Sequence, residues 1–223
     1  MNKIVETPQV NVQTAKILQI MLNCGILSSL IYIITDILAA MQWDGYNYTS
    51  QAVSELQAVG APTRPFVVLF FSIYNLLVII FGMGICKADN RKSARFVGIL
   101  LIVYGIEGQV TLIFFPMHLR GTQGTISDTM HASLSGVLVL LILLYIGVGA
   151  TLYDKWFRYY SIGTILVLLL FGILAGMDGP RVAAGLPTPW LGIKERINIY
   201  FSMLWVLIFA IKSLHITNGK SIN

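Results

Sequence analysis

Long apolar stretches separated by short polar ones run the length of this chain. Six of them, roughly Ile17–Met41, Phe66–Cys86, Phe96–Phe115, His131–Tyr153, Tyr159–Met177 and Arg196–Lys212, carry few charges. A bilayer core about 30 Å thick needs about 20 mainly apolar residues per helical span, so each stretch is long enough to cross. The runs are continuous and do not alternate, which points to helices and not to the strands of a closed barrel. The pattern predicts an all-α polytopic membrane protein, one bundle of six transmembrane helices over residues 17–213. Residues 1–16 read as a short lead and residues 214–223 as a tail. Longer polar connections fall at about 42–65, 116–130 and 178–195, and shorter ones at about 87–95 and 154–158.

Composition agrees. The chain is 56% hydrophobic, with a mean hydropathy of +0.76, which excludes an ordinary soluble domain. Charge sets the expected orientation. If the N-terminus is cytoplasmic, ten of the 15 Lys and Arg residues lie on the cytoplasmic side. Lys87, Arg91, Lys92 and Arg95 in one short connection are the strongest contribution. The positive-inside bias therefore predicts both termini in the cytoplasm and a multi-pass protein of the cytoplasmic membrane. The same bias accounts for the net charge of +5. No basic patch is left over for nucleic acid, which is not expected as a partner.

The first span is too long for the apolar segment of a cleaved signal peptide. Cys24 and Cys86 fall toward the cytoplasmic half and read as small buried residues, not as a disulfide. Trp43 and Trp190 fit one headgroup level and Trp156, Tyr159 and Tyr160 the other. Gly172 and Gly176 form a small-xxx-small pair, which predicts close packing of the fifth span on a neighbour.

A set of short motifs extends along the chain. Tyr46-Asn47-Tyr48-Thr49-Ser50-Gln51-Ala52-Val53-Ser54-Glu55-Leu56 precedes Gly60-Ala61-Pro62 at the start of the second span. Phe115-Pro116-Met117 ends the third span, His131 opens the fourth, and Lys194-Glu195-Arg196 opens the sixth. With these motifs the chain resembles the six-span prokaryotic membrane family called domain of unknown function 998. The resemblance covers nearly the whole chain. It implies a fold and a membrane address, and no established reaction. The family pattern places an acid two positions after the Phe-Pro, where this chain has His118.

The chemistry-capable side chains fall mostly on the long-loop side. Asp36 and Glu107 lie inside spans, roughly 7 and 12 Å below that end. A charge near the bilayer centre costs about 2.5–3.5 kcal/mol on insertion scales, so both should face the bundle interior and find partners. Tyr104 and Thr111 share a face with Glu107, and Ser29 and Tyr32 share one with Asp36. Asp128, His131 and Ser135 fall at i, i+3 and i+7, where the carboxylate can orient the imidazole, and Ser127 is positioned to cap the helix. Glu195, Asn198 and Ser202 share a third face, and Arg196 is the natural cation for Glu107 or Asp36. Glu55 lies in the first long loop. Asp178-Gly179-Pro180 reads as a turn.

These residues define the expected site, opening between spans 1, 3, 4 and 6. As an enzyme it would use His131, Asp128 and Glu107. As a binding site it would use Asp36, Glu55, Tyr104, Ser135, Glu195 and Arg196. His118 and His131 are the candidate ligands if a divalent metal such as zinc is the cofactor, which the sequence leaves open. Phosphate loops, nucleophile elbows, zinc-protease helices and haem-attachment cysteines are absent from the sequence. The expected partners are membrane lipids. The expected function is binding a lipid, a small molecule or a partner subunit near the outer leaflet. A lipid hydrolase and a proton-coupled transporter built on Glu107 are the alternatives.

Overall fold

The structure, a computed structural model, describes residues 12–122 and 124–220. The expected lead and tail are therefore seen only from Val12 onward and up to Lys220. The remainder of both, including Lys3, lies outside the described residues. Seven α-helices follow in order: α1 Val12–Gln42, α2 Arg64–Ala88, α3 Lys92–Phe114, α4 Ile126–Gly149, α5 Lys155–Gly176, α6 Gly179–Ala183 and α7 Leu191–Lys220. A short 3-10 helix, Val53–Gln57, sits in the first long loop. Six helices are long and apolar enough to span a membrane, with the five-residue α6 continuing the fifth span. This is a multi-pass membrane protein.

The helices begin earlier than the apolar runs do, because polar residues occupy their first turns, and α4 and α5 are capped by side chains. Thr125, and not Ser127, caps α4. Its side chain accepts from the Asp128 N–H at 3.3 Å, and the Asp128 carboxylate accepts back from the Thr125 N–H at 2.8 Å. Ser127 Oγ instead donates to the Pro116 carbonyl. Asp154 caps α5, accepting from the Phe157 N–H at 2.9 Å. Pro65 and Pro180 stand in the first turns of α2 and α6, where a missing N–H does no harm. Asp178 precedes α6, so the expected turn continues into helix.

Each helix packs on its sequence neighbour, and α7 returns to α1, closing a ring of six staves. Large apolar side chains on the outside, such as Leu69, Ile99, Leu140, Leu170 and Leu204, form the lipid-facing surface. The half of the ring at the short loops is filled by aromatics. Trp205 stacks on Phe209 with 4.9 Å between ring centroids and lies 5.6 Å from both Phe157 and Tyr145. The Trp205 indole N–H donates to Ser161 Oγ at 2.8 Å. Gly149 makes room for that indole, since a Cβ there would lie 2.6 Å from the ring.

A close backbone approach joins α2 to α3. A Cβ on Gly98 would lie 2.6 Å from the Gly82 carbonyl oxygen and 2.5 Å from Cys86 Sγ. Gly98→Ala is therefore expected to destabilise the bundle by about 1–3 kcal/mol, as overpacking of a close contact does. Thermal unfolding in detergent measures it. Gly163→Ala is the control, because a Cβ there meets open space. The expected tight packing occurs at Gly172, where a Cβ would lie 3.0 Å from Asn198 Nδ2 of α7, but not at Gly176, where it would touch nothing within 4 Å. Both glycines border a cavity.

Candidate functional site

The half of the ring nearest the long loops is hollow. A cavity of about 720 Å³ lies there, a size typical of small-molecule sites. Its wall runs from Asp128 to Ile142 along α4, roughly 20 Å of helix rise. Phe71, Leu112, Leu138, Val139, Ile142, Ile199 and Met203 make that wall mainly apolar. The 3-10 helix and the loop residues 117–122 and Gly124 cover its mouth. Tyr104 and Tyr74, joined hydroxyl to hydroxyl at 3.0 Å, stand toward the aromatic half.

The walls come from α2, α3, α4, α5, α6 and α7, while Tyr32 is the contribution of α1 among the described residues. The expectation that the site opens between spans 1, 3, 4 and 6 is thus corrected: α1 is nearly excluded, and α2 and α5 take part. The reason is that α1 commits its polar side chains to α7 and an aromatic ring to α2: Asp36 pairs with Arg196, Ser29 Oγ donates to the Met203 carbonyl and Tyr32 stacks on Phe71. Contact between α4 and α5 is the sparsest of the six joints. Wall residues on both sides of this joint are exposed, including Ala132, Gly136 and Val139 on α4 and Gly176 on α5. The small side chains keep the helices from sealing, and the cavity opens sideways there.

Three of the singled-out residues on the wall carry chemistry. Glu195 Oε2 accepts from the Val53 N–H at 2.8 Å, and its other oxygen has no partner among the described residues. His131 Nδ1 lies 2.9 Å from the Phe115 carbonyl. A carbonyl only accepts, so Nδ1 carries the proton and Nε2 is left as an acceptor. His118 Nδ1 lies 3.2 Å from both oxygens of Asp128. Ser135 and Tyr104 also line the wall.

The expected Asp128–His131 pair is corrected. Asp128 takes the His118 backbone N–H at 2.7 Å as well as its ring, and Thr125 as well. These bonds fix the loop onto the start of α4. His131, one turn on, is buried and ties α4 to the end of α3. Among the described residues no three His, Cys, Asp or Glu side chains come together as a metal would need, so His118 and His131 do not assemble the expected ligand set.

Asp36 and Arg196 leave the site altogether and meet each other. The guanidinium grips the carboxylate through two bonds, Nε to Oδ2 at 2.9 Å and Nη2 to Oδ1 at 2.8 Å, with both residues almost wholly buried. The remaining valences are met. Arg196 also donates to the Tyr48 carbonyl at 2.7 Å and the Tyr46 hydroxyl at 2.9 Å, and Tyr200 donates to Asp36. The guanidinium lies 3.5 Å over the Tyr48 ring. Burial pushes the Tyr46 hydroxyl above its ordinary value, so it stays protonated and donates on to the Ala52 carbonyl. This chain of bonds hangs the first long loop, and hence the cover of the cavity, from α1 and α7.

Glu55 is buried at the loop–loop joint and not on the cavity wall. It accepts from the Ala52 N–H at 2.9 Å and from Arg120 Nη2 at 2.5 Å. Arg120 reaches on to Thr188 Oγ1 at 2.6 Å, so one ion pair clasps all three long loops. Glu107 is half-buried beside the wall. Thr111 donates to its Oε1 at 2.8 Å, as their spacing predicts, and its Oε2 is buried with no partner among the described residues. Arg196 does not reach it.

Sequence reasoning missed Asn75, Gln57 and Tyr74, which line the cavity. Asn75 was findable, being an amide in the middle of an apolar span. It donates to Gln109 across the α2–α3 contact. Gln57 carried no such signal in a polar loop.

No curated protein and no solved structure shows significant similarity to this sequence. One family does, over residues 26–212, a stretch that runs from within α1 to within α7 and takes in every residue of the cavity wall. The chain belongs to the family described as Protein of unknown function (DUF998).

Proposed function

We propose that this protein binds a lipid that enters sideways from the bilayer between α4 and α5. The hollow half of the helix ring carries the reading: an apolar cavity with a lateral opening and polar groups gathered under the loops. A lipid has the matching polarity, with chains against Leu138, Val139 and Ile142 and its head near Glu195 and His131. The positive-inside bias puts the hollow half in the outer leaflet of the cytoplasmic membrane, with both termini cytoplasmic. A reporter fused at Asn90 is expected to report the cytoplasm, and an exterior signal overturns that orientation.

The geometry favours binding over the hydrolase alternative, because Asp128 is engaged by His118 and Glu107 stands off the wall. It favours binding over transport, because the aromatic half closes the ring below the cavity. The test is native mass spectrometry of the full chain released from a mild detergent. About one co-purified lipid per chain is the expected result. A chain that emerges bare, and stays bare after incubation with membrane lipids, overturns the reading.

A further inference from the structure

The wall of the cavity is short of cationic donors at its polar end. Arg120 is the one Lys or Arg on that wall among the described residues. Its guanidinium is already committed to Glu55, Thr188 and the Leu186 carbonyl. On α7, Lys194 is held by Asp178 and Arg196 by Asp36. Among the described residues, no uncommitted guanidinium or ammonium is left on the wall itself or on the first two turns of α7 to receive an anionic head.

Acceptors, by contrast, are left over. Glu195 has one carboxylate oxygen without a partner among the described residues. His131 presents Nε2 as an acceptor, because the Phe115 carbonyl fixes the proton on Nδ1. Gln57 Oε1 is buried and unpartnered. Gln57 Oε1 is the buried one of the three, and a buried acceptor without a donor is costly and nearly always satisfied in native proteins. All three residues line the same cavity. The missing donors are therefore what a ligand would bring.

Resting on the lipid reading above, we infer that the cavity selects lipids whose head ends in a primary ammonium, of the ethanolamine-phosphate type. Glu195 receives the positive charge, and His131 Nε2 and Gln57 Oε1 take its N–H groups. A primary ammonium carries three donors, as the lysine side chain does. A quaternary ammonium carries none and is held by open aromatic faces. The rings on this wall do not offer such a cage, since Tyr32 is stacked on Phe71 at 4.3 Å and set edge-on to Tyr74 at 5.0 Å. A head ending in glycerol supplies hydroxyl donors but leaves the Glu195 carboxylate without a cation.

The experiment is native mass spectrometry of the full chain, stripped of lipid. It is then offered three lipids with identical acyl chains and ethanolamine, choline or glycerol on the phosphate. Free ethanolamine is a fourth arm. The ethanolamine lipid is expected to be retained about tenfold better than either of the others, the scale of one charge-assisted contact. Free ethanolamine at the same concentration should not displace it. Glu195→Gln, which keeps the shape and can still accept from Val53, should retain lipid but lose the preference. Gln57→Met should narrow the preference and serves as the second variant if Glu195→Gln unfolds. Equal retention of all three lipids overturns the ammonium inference and leaves the lipid reading standing. Retention of none overturns both. Displacement by free ethanolamine overturns the lipid as the source of the amine. A preference unchanged in both variants overturns the assignment to these residues.

Discussion

Arg196→Met is expected to leave a chain that reaches the membrane but is markedly less stable. The substitution strands Asp36, wholly buried in α1, without its cation. Removing one partner of a buried ion pair costs about 3–5 kcal/mol, against a total stability of about 5–15 kcal/mol for typical proteins. The Tyr48 carbonyl and the Tyr46 hydroxyl lose their donor as well. The first long loop should come loose from α7, and the 3-10 helix over the cavity with it. Thermal unfolding followed by size-exclusion chromatography in detergent measures the loss. The double variant Asp36→Leu/Arg196→Met separates charge stranding from packing. Replacing a whole buried pair by apolar residues is often neutral, so this variant should recover part of the loss. Recovery should be incomplete, because the two loop contacts stay broken. A single variant as stable as the parent would mean that the pair does not anchor the loop.

Gly136→Trp is expected to abolish most lipid retention while leaving the fold intact. Gly136 lies on α4 at the open seam, and a Cβ there meets nothing within 4 Å. An indole at that place starts from open space beside the seam. Glycine is also a poor residue inside a helix, so the change costs the helix nothing. Co-purified lipid should fall on the order of tenfold or more, the range in which a blocked site moves from bound to free. Gly163→Trp on α5 is the matched control. It too has open space around it but lies off the cavity wall, so retention should not change. Equal retention in both variants would place the bound lipid elsewhere on the surface.

How far the site could be read in advance differs from residue to residue. Glu107 and Thr111 were legible as a pair because they stand four apart on one helix, where the geometry is local. The shared face of Glu195, Asn198 and Ser202 was legible for the same reason, and all three line the cavity. The partner of Asp128 was not. His131 is one turn away in sequence, but His118 arrives from the preceding loop once Asp128 accepts the His118 N–H. Arg196 had two carboxylates to choose from at similar depth. The ring order decided for Asp36, since α7 packs on α1 and not on α3. The Gly172 and Gly176 spacing predicts packing, and Gly172 does meet α7 closely while Gly176 borders a void, because small residues permit contact without requiring it.

Hydrophobic runs alone therefore fixed the solvent, the number of spans and the antiparallel order of six helices, since backbone polar groups in a bilayer must be satisfied within each helix. Tertiary structure alone decided which polar groups meet and where space is left. Lipid and neighbouring helices are equally apolar, so a sequence does not say which side of a helix faces a partner, a chain or a cavity. That choice came from the fit of side chains around the ring: aromatics filled one half, and the small residues of α4 and α5 left the other open.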